Sequence, residues 1–512
     1  MRLRSAWGVG RVLCPLALCA LLGVGQSPKR ASTEVIVPRT WDDAAMQTLE
    51  LPLAYAPASP KHVSADYYYR IPVRPIYKQY PVYAPGREPA GYWEWLQTQE
   101  PVVVWDGGHV RPRLRNKADW VKAGEIAFDS ALFIDVDGLI SVRDVRSRDW
   151  YTTGQVPVAA NGVLPFISYV IREKGKVELG IFSCAMCHTR VMPDGSVVDG
   201  AQGNFPLNWA VGRKMFSGEQ TRFLRQAVFA TPFLKPDPME QEFVAPQEQF
   251  IKKFESIPPG VIPRHRTNPI HPVQVPDLIG VEGREYLDRT GLLQQRSIVD
   301  MMRYAALNQG ADGLANFDGF IPDGAPKFNK LPDPASPIVG GRYSDEQLYA
   351  LSMYAYSLKP PPNPHKMTDL ASRGQKVFER EGCGFCHAPP LYTNNKLTPE
   401  EGFTPPPGAA AKYNIATRSV GTDPGLATMT LRGTGYYKVP SLKGVWYRSM
   451  FGHSGWCATL EDWFDPRRVQ DDYIPTGFKP NGDAPYAVQG HPFGLDLNED
   501  DRKALITFLK TL

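Results

Sequence analysis

The sequence predicts a mainly α-helical chain of two tandem units of one design, the first enlarged by an insertion and preceded by an irregular N-terminal strap. Three observations predict it. The pattern C-x-x-C-H occurs twice, as Cys184-Ala-Met-Cys187-His188 and Cys383-Gly-Phe-Cys386-His387. An apolar stripe at i, i+4, i+7, i+8 precedes each copy: Trp120, Gly124, Ala127 and Phe128, then Leu370, Gly374, Val377 and Phe378. A second helical run also recurs, Ala350-Leu351 with Tyr354 and Leu358 matching Ala504-Leu505 with Phe508 and Leu512. Each follows acids suited to a helix N-terminus, Asp345-Glu346 and Glu499-Asp500-Asp501.

The C-x-x-C-H spacing assigns a cofactor. Two thiols so placed form thioethers to the haem vinyl groups, and the adjoining histidine falls under the ring as an iron ligand. Cys184, Cys187 and Cys383, Cys386 are therefore expected to carry two covalent c-type haems, with His188 and His387 on the irons. A structural zinc site pairs two such knuckles close together in sequence, whereas these lie almost two hundred residues apart, and a dithiol redox pair has no use for the histidine. With 7 Cys and 9 His in 512 residues, two chance copies are untenable.

In chain order, residues 1–25 read as a secretion signal: Arg2, Arg4 and Arg11 without an acid, a short apolar run from Val12 to Val24, and Gly23-Val24-Gly25 for cleavage. The run is too short for a transmembrane anchor, so the expected location is the periplasm or outside the cell. Cys14 and Cys19 leave with that segment and four cysteines go to haem, so Cys457 remains alone and no intrachain disulfide is expected. Loss of the three arginines brings the formal charge of +4 close to neutral, which excludes a nucleic-acid footprint.

Residues 26–116 are rich in Pro, Tyr and Trp, as in Tyr67-Tyr68-Tyr69, Pro72-Val73-Arg74-Pro75 and Tyr92-Trp93-Glu94-Trp95. The aromatics argue against disorder and the prolines against regular elements, so this stretch is expected to wrap the first unit as an extended strap. The first haem unit spans 117–364. Five positions separate Phe378 from Cys383, but fifty-six separate Phe128 from Cys184, and this insertion holds strand-like runs at 131–136 and 139–142 around Asp137-Gly138, expected to form a small hairpin. Both stripes carry a glycine on the buried face, which predicts close approach of another backbone there. Lys359-Pro360-Pro361-Pro362-Asn363-Pro364 reads as a stiff linker, and the second haem unit occupies 365–512.

First helix, C-x-x-C-H, loops and last helix is the order of small c-type cytochromes. With Lys438-Val439-Pro440-Ser441-Leu442-Lys443-Gly444-Val445 leading to His453-Ser454-Gly455 and Ala458-Thr459-Leu460-Glu461-Asp462, the chain resembles the bacterial di-haem cytochrome c peroxidase superfamily, which includes the methylamine dehydrogenase maturases and, distantly, di-haem rubber oxygenases. The resemblance is specific from Asp369 to Leu512, looser from Trp120 to Leu358, and absent from the strap. It implies a first haem that meets the oxidant and a second that receives electrons from a small cytochrome or copper protein. It also raises calcium between the domains, but no acidic loop supports that ion.

An iron with two protein ligands exchanges electrons, whereas one with an open position binds a small oxidant, so the sixth ligands decide function. No histidine lies between His188 and His265, and Gly200-Ala201-Gln202-Gly203-Asn204-Phe205-Pro206 offers only amide and aromatic groups, so an open first haem is expected, with His265 and His271 as remote alternatives. For the second haem the candidates are Met450, His453 and Met429, with Tyr447 suggested by the maturases. The catalytic acid–base residue is left unassigned; Glu219 is a candidate but reads more simply as a helix-start charge, and Trp209 as core rather than an electron relay. The expected activity is hydrogen peroxide reduction by an exported di-haem oxidoreductase. The alternatives are an electron carrier without turnover, or oxygen-dependent oxidation of an organic or protein substrate at the first haem.

Overall fold

The two helix pairs anticipated from the repeated stripes are the frame on which the rest is hung, and they form for local reasons. The computed structural model describes residues 35–106, 114–131, 133–134, 138–218, 225–226, 229–231, 234, 236–263, 267–308 and 341–512. The proposed signal segment, Cys14, Cys19, Glu219 and His265 lie outside the described residues. Helix Lys117–Asp129 starts where the Asn116 side chain accepts from the Asp119 N–H, and helix Asp345–Ser357 where Ser344 and Gln347 form a reciprocal capping box. They cross at Gly124, where a Cβ would stand 2.0 Å from the Ala350 carbonyl oxygen. Helix Asp369–Arg380, capped by Thr368, crosses helix Glu499–Lys510, capped by Asn498, in the same way: a Cβ on Gly374 would stand 1.9 Å from the Ala504 oxygen. The side chains stacked beside the two contacts, Tyr354 and Phe508, are also equivalent.

Between these pairs the fold is mixed α/β rather than mainly α. A four-stranded antiparallel sheet runs in the order Gln79–Tyr83, Val163–Glu173, Lys176–Ile181, Phe133–Ile134. Its centre is a hairpin turning at Lys174-Gly175, where Gly175 takes φ +84°. The expected hairpin over 131–142 is not what forms. Phe133–Ile134 pairs with Lys176–Ile181, residues 132 and 135–137 lie outside the described residues, and Val142–Val145 is a short helix opened by a Ser141/Asp144 capping box. A serine followed three residues on by an aspartate competes there against the β-branched run, and the longer strands at 163–181 supply the sheet.

The strap is also more regular than its prolines suggest. Tyr67–Tyr69 lie in helix Ala65–Arg70 and Trp93 and Trp95 in helix Tyr92–Gln97. Pro81 sits in the edge strand, next to a register shift where its missing N–H is tolerated. Nor does the strap serve only the first unit. Trp41 stacks on Tyr68 at 4.2 Å over the first helix pair, while Leu51 and Ala54 donate backbone N–H groups to Leu292 (2.6 Å) and Gly433 (2.7 Å), the latter in the second unit. Residues 359–368 are without helix or strand, as the linker reading requires, and Asn363 donates to the carbonyl of Lys510 at 2.9 Å, tying off the last helix.

Candidate functional site: two C-x-x-C-H motifs and one large cavity

The first motif is positioned by the sheet. Strand Lys176–Ile181 runs into Ser183, whose side chain accepts from the Met186 N–H and starts the one-turn helix Cys184–His188. Ala185 packs into the core of the first helix pair and Met186 into the core under the sheet, so the turn is pinned between two apolar clusters. The loop 200–206 folds back over it. Gly200 N–H donates to the His188 carbonyl (2.6 Å) and Gly203 N–H to that of Cys187 (2.9 Å), and a Cβ on Gly203 would meet the Cys187 oxygen at 2.4 Å. The loop's amides are committed to backbone: Gln202 accepts from Ser449 N–H at 2.9 Å, and Asn204 donates to and accepts from Val191. From the strap, the fully buried Arg74 lies 4.7 Å over the ring of Tyr343, itself buried beside Cys184.

The second motif opens on space. Cys383–Phe385 is a single 3₁₀ turn entered through Gly382 at φ +71°, and Cys383, Cys386 and His387 line a cavity of about 680 Å³. The wall is largely apolar, with Phe378, Leu505 and Leu509 brought in by the helix pair and Val445 and Leu460 by the chain between its two helices. His387 Nδ1 lies 3.2 Å from the Tyr392 carbonyl oxygen, the hydrogen bond that fixes a ligating imidazole with its other nitrogen available. Burial pushes His387 down to about 4, so it is neutral at ordinary pH, as a metal ligand must be.

These residues fit a haem, and a second observation agrees. Arg289, Lys438 and Arg448 line the cavity, and Arg284 adjoins them. Two carboxylates stand near these four cations: Asp277, 3.8 Å from Arg448, and Asp288, which also pairs with the buried Arg432 at 2.7 Å. Burial, then repulsion from Arg448 and Arg284, pushes Arg289 down to about 9; burial, then Arg284 and Arg289, holds Lys438 well below the usual lysine range. A buried excess of cations calls for an anion, and the two carboxylates of a haem are of that kind.

The structure brings Met450 and His453 to the same cavity wall. His453 is engaged there: its Nε2 shares a 2.9 Å hydrogen bond with the Tyr437 hydroxyl, and its ring stacks on Tyr437 at 3.9 Å. Burial pushes it down to about 3 against the pull of Asp423. Met450 packs with the cluster of Val261 and Trp456, its sulfur 3.0 Å from where a Cβ on Gly477 would lie. Met429 is 39% exposed, and Tyr447 is buried in the first-pair core, donating to Asp277 at 2.8 Å. His271 lies beside Asp423 and Gly425, in the second-unit network. Trp209 fills core against Gly154 and Trp150. Cys457 is a fully buried thiol, raised by burial to about 12.

One residue escaped the sequence reading. His491 lines the cavity about a hundred residues after the motif, its ring centre 6.4 Å from that of His387. It takes φ +46°, a left-handed conformation rare outside glycine, and burial pushes its imidazole down to about 3. The signal that would have found it is the run Gly490-His491-Pro492, a lone histidine in a sharp turn.

No family model matches the chain, and no curated protein does. Among solved structures, hydrazine synthase of Kuenenia stuttgartiensis, pressurised with xenon, aligns over 58% of this chain and 88% of its own at 14% identity and a TM-score of 0.29. A MauG-like protein associated with microbial copper homeostasis aligns over 33% of this chain and 56% of its own, at 18% identity and a TM-score of 0.21. Likenesses this remote say nothing of chemistry, so function is read from the residues of the site.

Proposed function

We propose that the protein is an exported oxidoreductase carrying two covalent c-type haems, which reduces hydrogen peroxide with electrons from a small cytochrome or copper protein. The observation that carries the reading is the cavity: about 680 Å³, apolar, with two thiols, a neutral histidine oriented through Tyr392, and unbalanced buried cations on one wall. A bound haem supplies one-electron chemistry at iron. The chain's own work is to hold the ring through Cys383 and Cys386, set the imidazole of His387, exclude water with the helix-pair side chains, and neutralise the carboxylates with Arg289, Lys438 and Arg448. Phe385, 76% exposed between the two thiols, offers an apolar landing edge for a donor protein.

The first site is the one assigned to the oxidant. Gln202 and Asn204 spend their amides on backbone, and His271 is held in the other network, which supports an exchangeable position on the first haem. Electron paramagnetic resonance of the oxidised protein should show one high-spin and one low-spin ferric haem, with cyanide converting the first. Peroxide should be consumed without prior reductive activation. Two low-spin irons in every redox state and no peroxide turnover would leave an electron carrier, and turnover with oxygen but not peroxide would reassign the substrate.

A further inference from the structure

The cavity of the second motif is faced by two histidines, and only one belongs to the motif. We propose that His491 is the second axial ligand of the iron held at Cys383, Cys386 and His387, closing it between two imidazoles; this rests on the haem reading of the cavity given above.

The separation is the first ground. With metal–nitrogen bonds of about 2.0–2.1 Å and roughly 1.1 Å from nitrogen to ring centre, imidazoles on opposite sides of one ion have ring centres about 6.3 Å apart. The His387 and His491 ring centres lie 6.4 Å apart, with their planes inclined at 55°, so the spacing matches two imidazoles facing one ion. The second ground is hydrogen bonding. Among the described residues no other residue's side chain takes a nitrogen of the His491 ring, whose one backbone contact is with its own residue, whereas the Nε2 of His453 is taken by Tyr437.

The third ground is how the residue is held. The left-handed backbone at His491 is fixed by the fully buried Arg468, which donates to the carbonyls of Val488 (2.5 Å), Gly490 (3.0 Å) and His491 (2.8 Å), while His491 N–H donates to Val420 at 2.8 Å. The ring is set between Trp463 and Phe493. A buried arginine spent on three carbonyls of one turn makes a rigid mount for a single imidazole. Met450, by contrast, has its sulfur packed toward Gly477.

Two imidazoles leave no exchangeable position and hold a lower reduction potential than an imidazole with a methionine. The second haem then passes electrons only, and small-molecule chemistry falls to the first.

The test uses the full holoprotein with both haems attached, checked by denaturing mass spectrometry. In the ferric wild type, near-infrared magnetic circular dichroism should give the band of paired imidazoles for the low-spin haem. His491→Gly should keep both haems by mass, lose the low-spin signal, and regain it on adding free imidazole. Met450→Leu and His453→Gln should leave that signal in place. Should the glycine variant not fold, His491→Met serves: it should stay low-spin, gain a thioether–iron band and titrate at a higher potential. A methionine signature in the wild type that disappears in Met450→Leu, or a low-spin haem unaltered in His491→Gly, overturns the assignment. A wild-type mass lacking haem at Cys383 and Cys386 overturns instead the reading of the cavity on which it depends.

Discussion

Two C-x-x-C-H motifs in one chain sit against the same scaffold and in different surroundings. In both, a first helix with a buried glycine crosses a last helix at an alanine carbonyl, Gly124 on Ala350 and Gly374 on Ala504. In the second unit the motif follows its helix at once and faces an open cavity of about 680 Å³ with a histidine from the far end of the chain. In the first, an inserted sheet intervenes, and the motif turn is clamped between two packed clusters under a loop that hydrogen-bonds to its carbonyls. The helix crossing is therefore the invariant part of the design. What surrounds each motif is free to vary, and with it the chemistry proposed for each.

The largest expected effect follows from that contrast. Without its occupant the apolar wall of Phe378, Val445, Leu460, Leu505 and Leu509 would face water, a loss that weighs heavily against the about 5–15 kcal/mol by which a domain is stable. Cys383→Ala with Cys386→Ala should lose one haem by mass and lower the thermal unfolding midpoint sharply. Cys184→Ala with Cys187→Ala should also lose one haem, but lower the midpoint less. A protein without the second haem that melts like the wild type would break the comparison.

The crossings themselves should respond alike. Added methyls at Gly124 or Gly374 would lie about 2 Å from a carbonyl oxygen, so the helices have to part. Overpacking of this kind costs about 1–3 kcal/mol or more, against a gain of about 1 kcal/mol in helix propensity from glycine to alanine. Gly124→Ala and Gly374→Ala should each lower the denaturant midpoint by similar amounts. A large loss in one and none in the other would show that the crossings are not equivalent.

A third difference is electrostatic and belongs to the second unit. Glu400 is 2% exposed, its carboxylate oxygens have no hydrogen-bond partner, and burial, with Asp423 and Glu401, pushes it up to about 8 from 4.5. The folded state thus binds its proton more tightly than the unfolded state. Stability from this group is fully present below pH 4.5 and is lost as pH rises towards about 8. Glu400→Gln removes the dependence, so its stability relative to wild type should improve from pH 5 to pH 8 by on the order of 3 kcal/mol, read from urea midpoints at the two values. An unchanged difference would place the carboxylate against a cation or water.

What was legible in the sequence was what is local. The C-x-x-C-H sets, the glycine-bearing stripes and the acids ahead of the closing helices all act within one or two turns of chain, and each predicted helix forms where its pattern lies. The sheet was misplaced because β-branched runs at 131–136 and 139–142 carry the same short-range signal as the strands at 163–181. Which run pairs is settled by partners some ninety residues away in the strap, such as Tyr80 against Tyr169. His491 was missed for a related reason: Gly490-His491-Pro492 marks a turn, but that the turn faces the second motif depends on Arg468 and Val420, tens of residues away.

The smallest expected effect asks whether the two scaffolds also start alike. Asn116 accepts from the Asp119 N–H at 3.1 Å and Thr368 from the Ala371 N–H at 3.2 Å, the same bond at the same place in each first helix. Such caps are worth about 1 kcal/mol, with asparagine the slightly better residue. Asn116→Ala and Thr368→Ala should each reduce stability by about that amount and leave both haem spectra unchanged, since neither side chain reaches a motif. The Thr368 helix leads into its motif within a few residues, whereas the Asn116 helix is separated from its own by the sheet. If Thr368→Ala alone also alters haem attachment, measured as the mass distribution of the denatured protein, then fraying of the first helix is transmitted to Cys383 and Cys386, and the insertion in the first unit acts as a buffer between helix and haem.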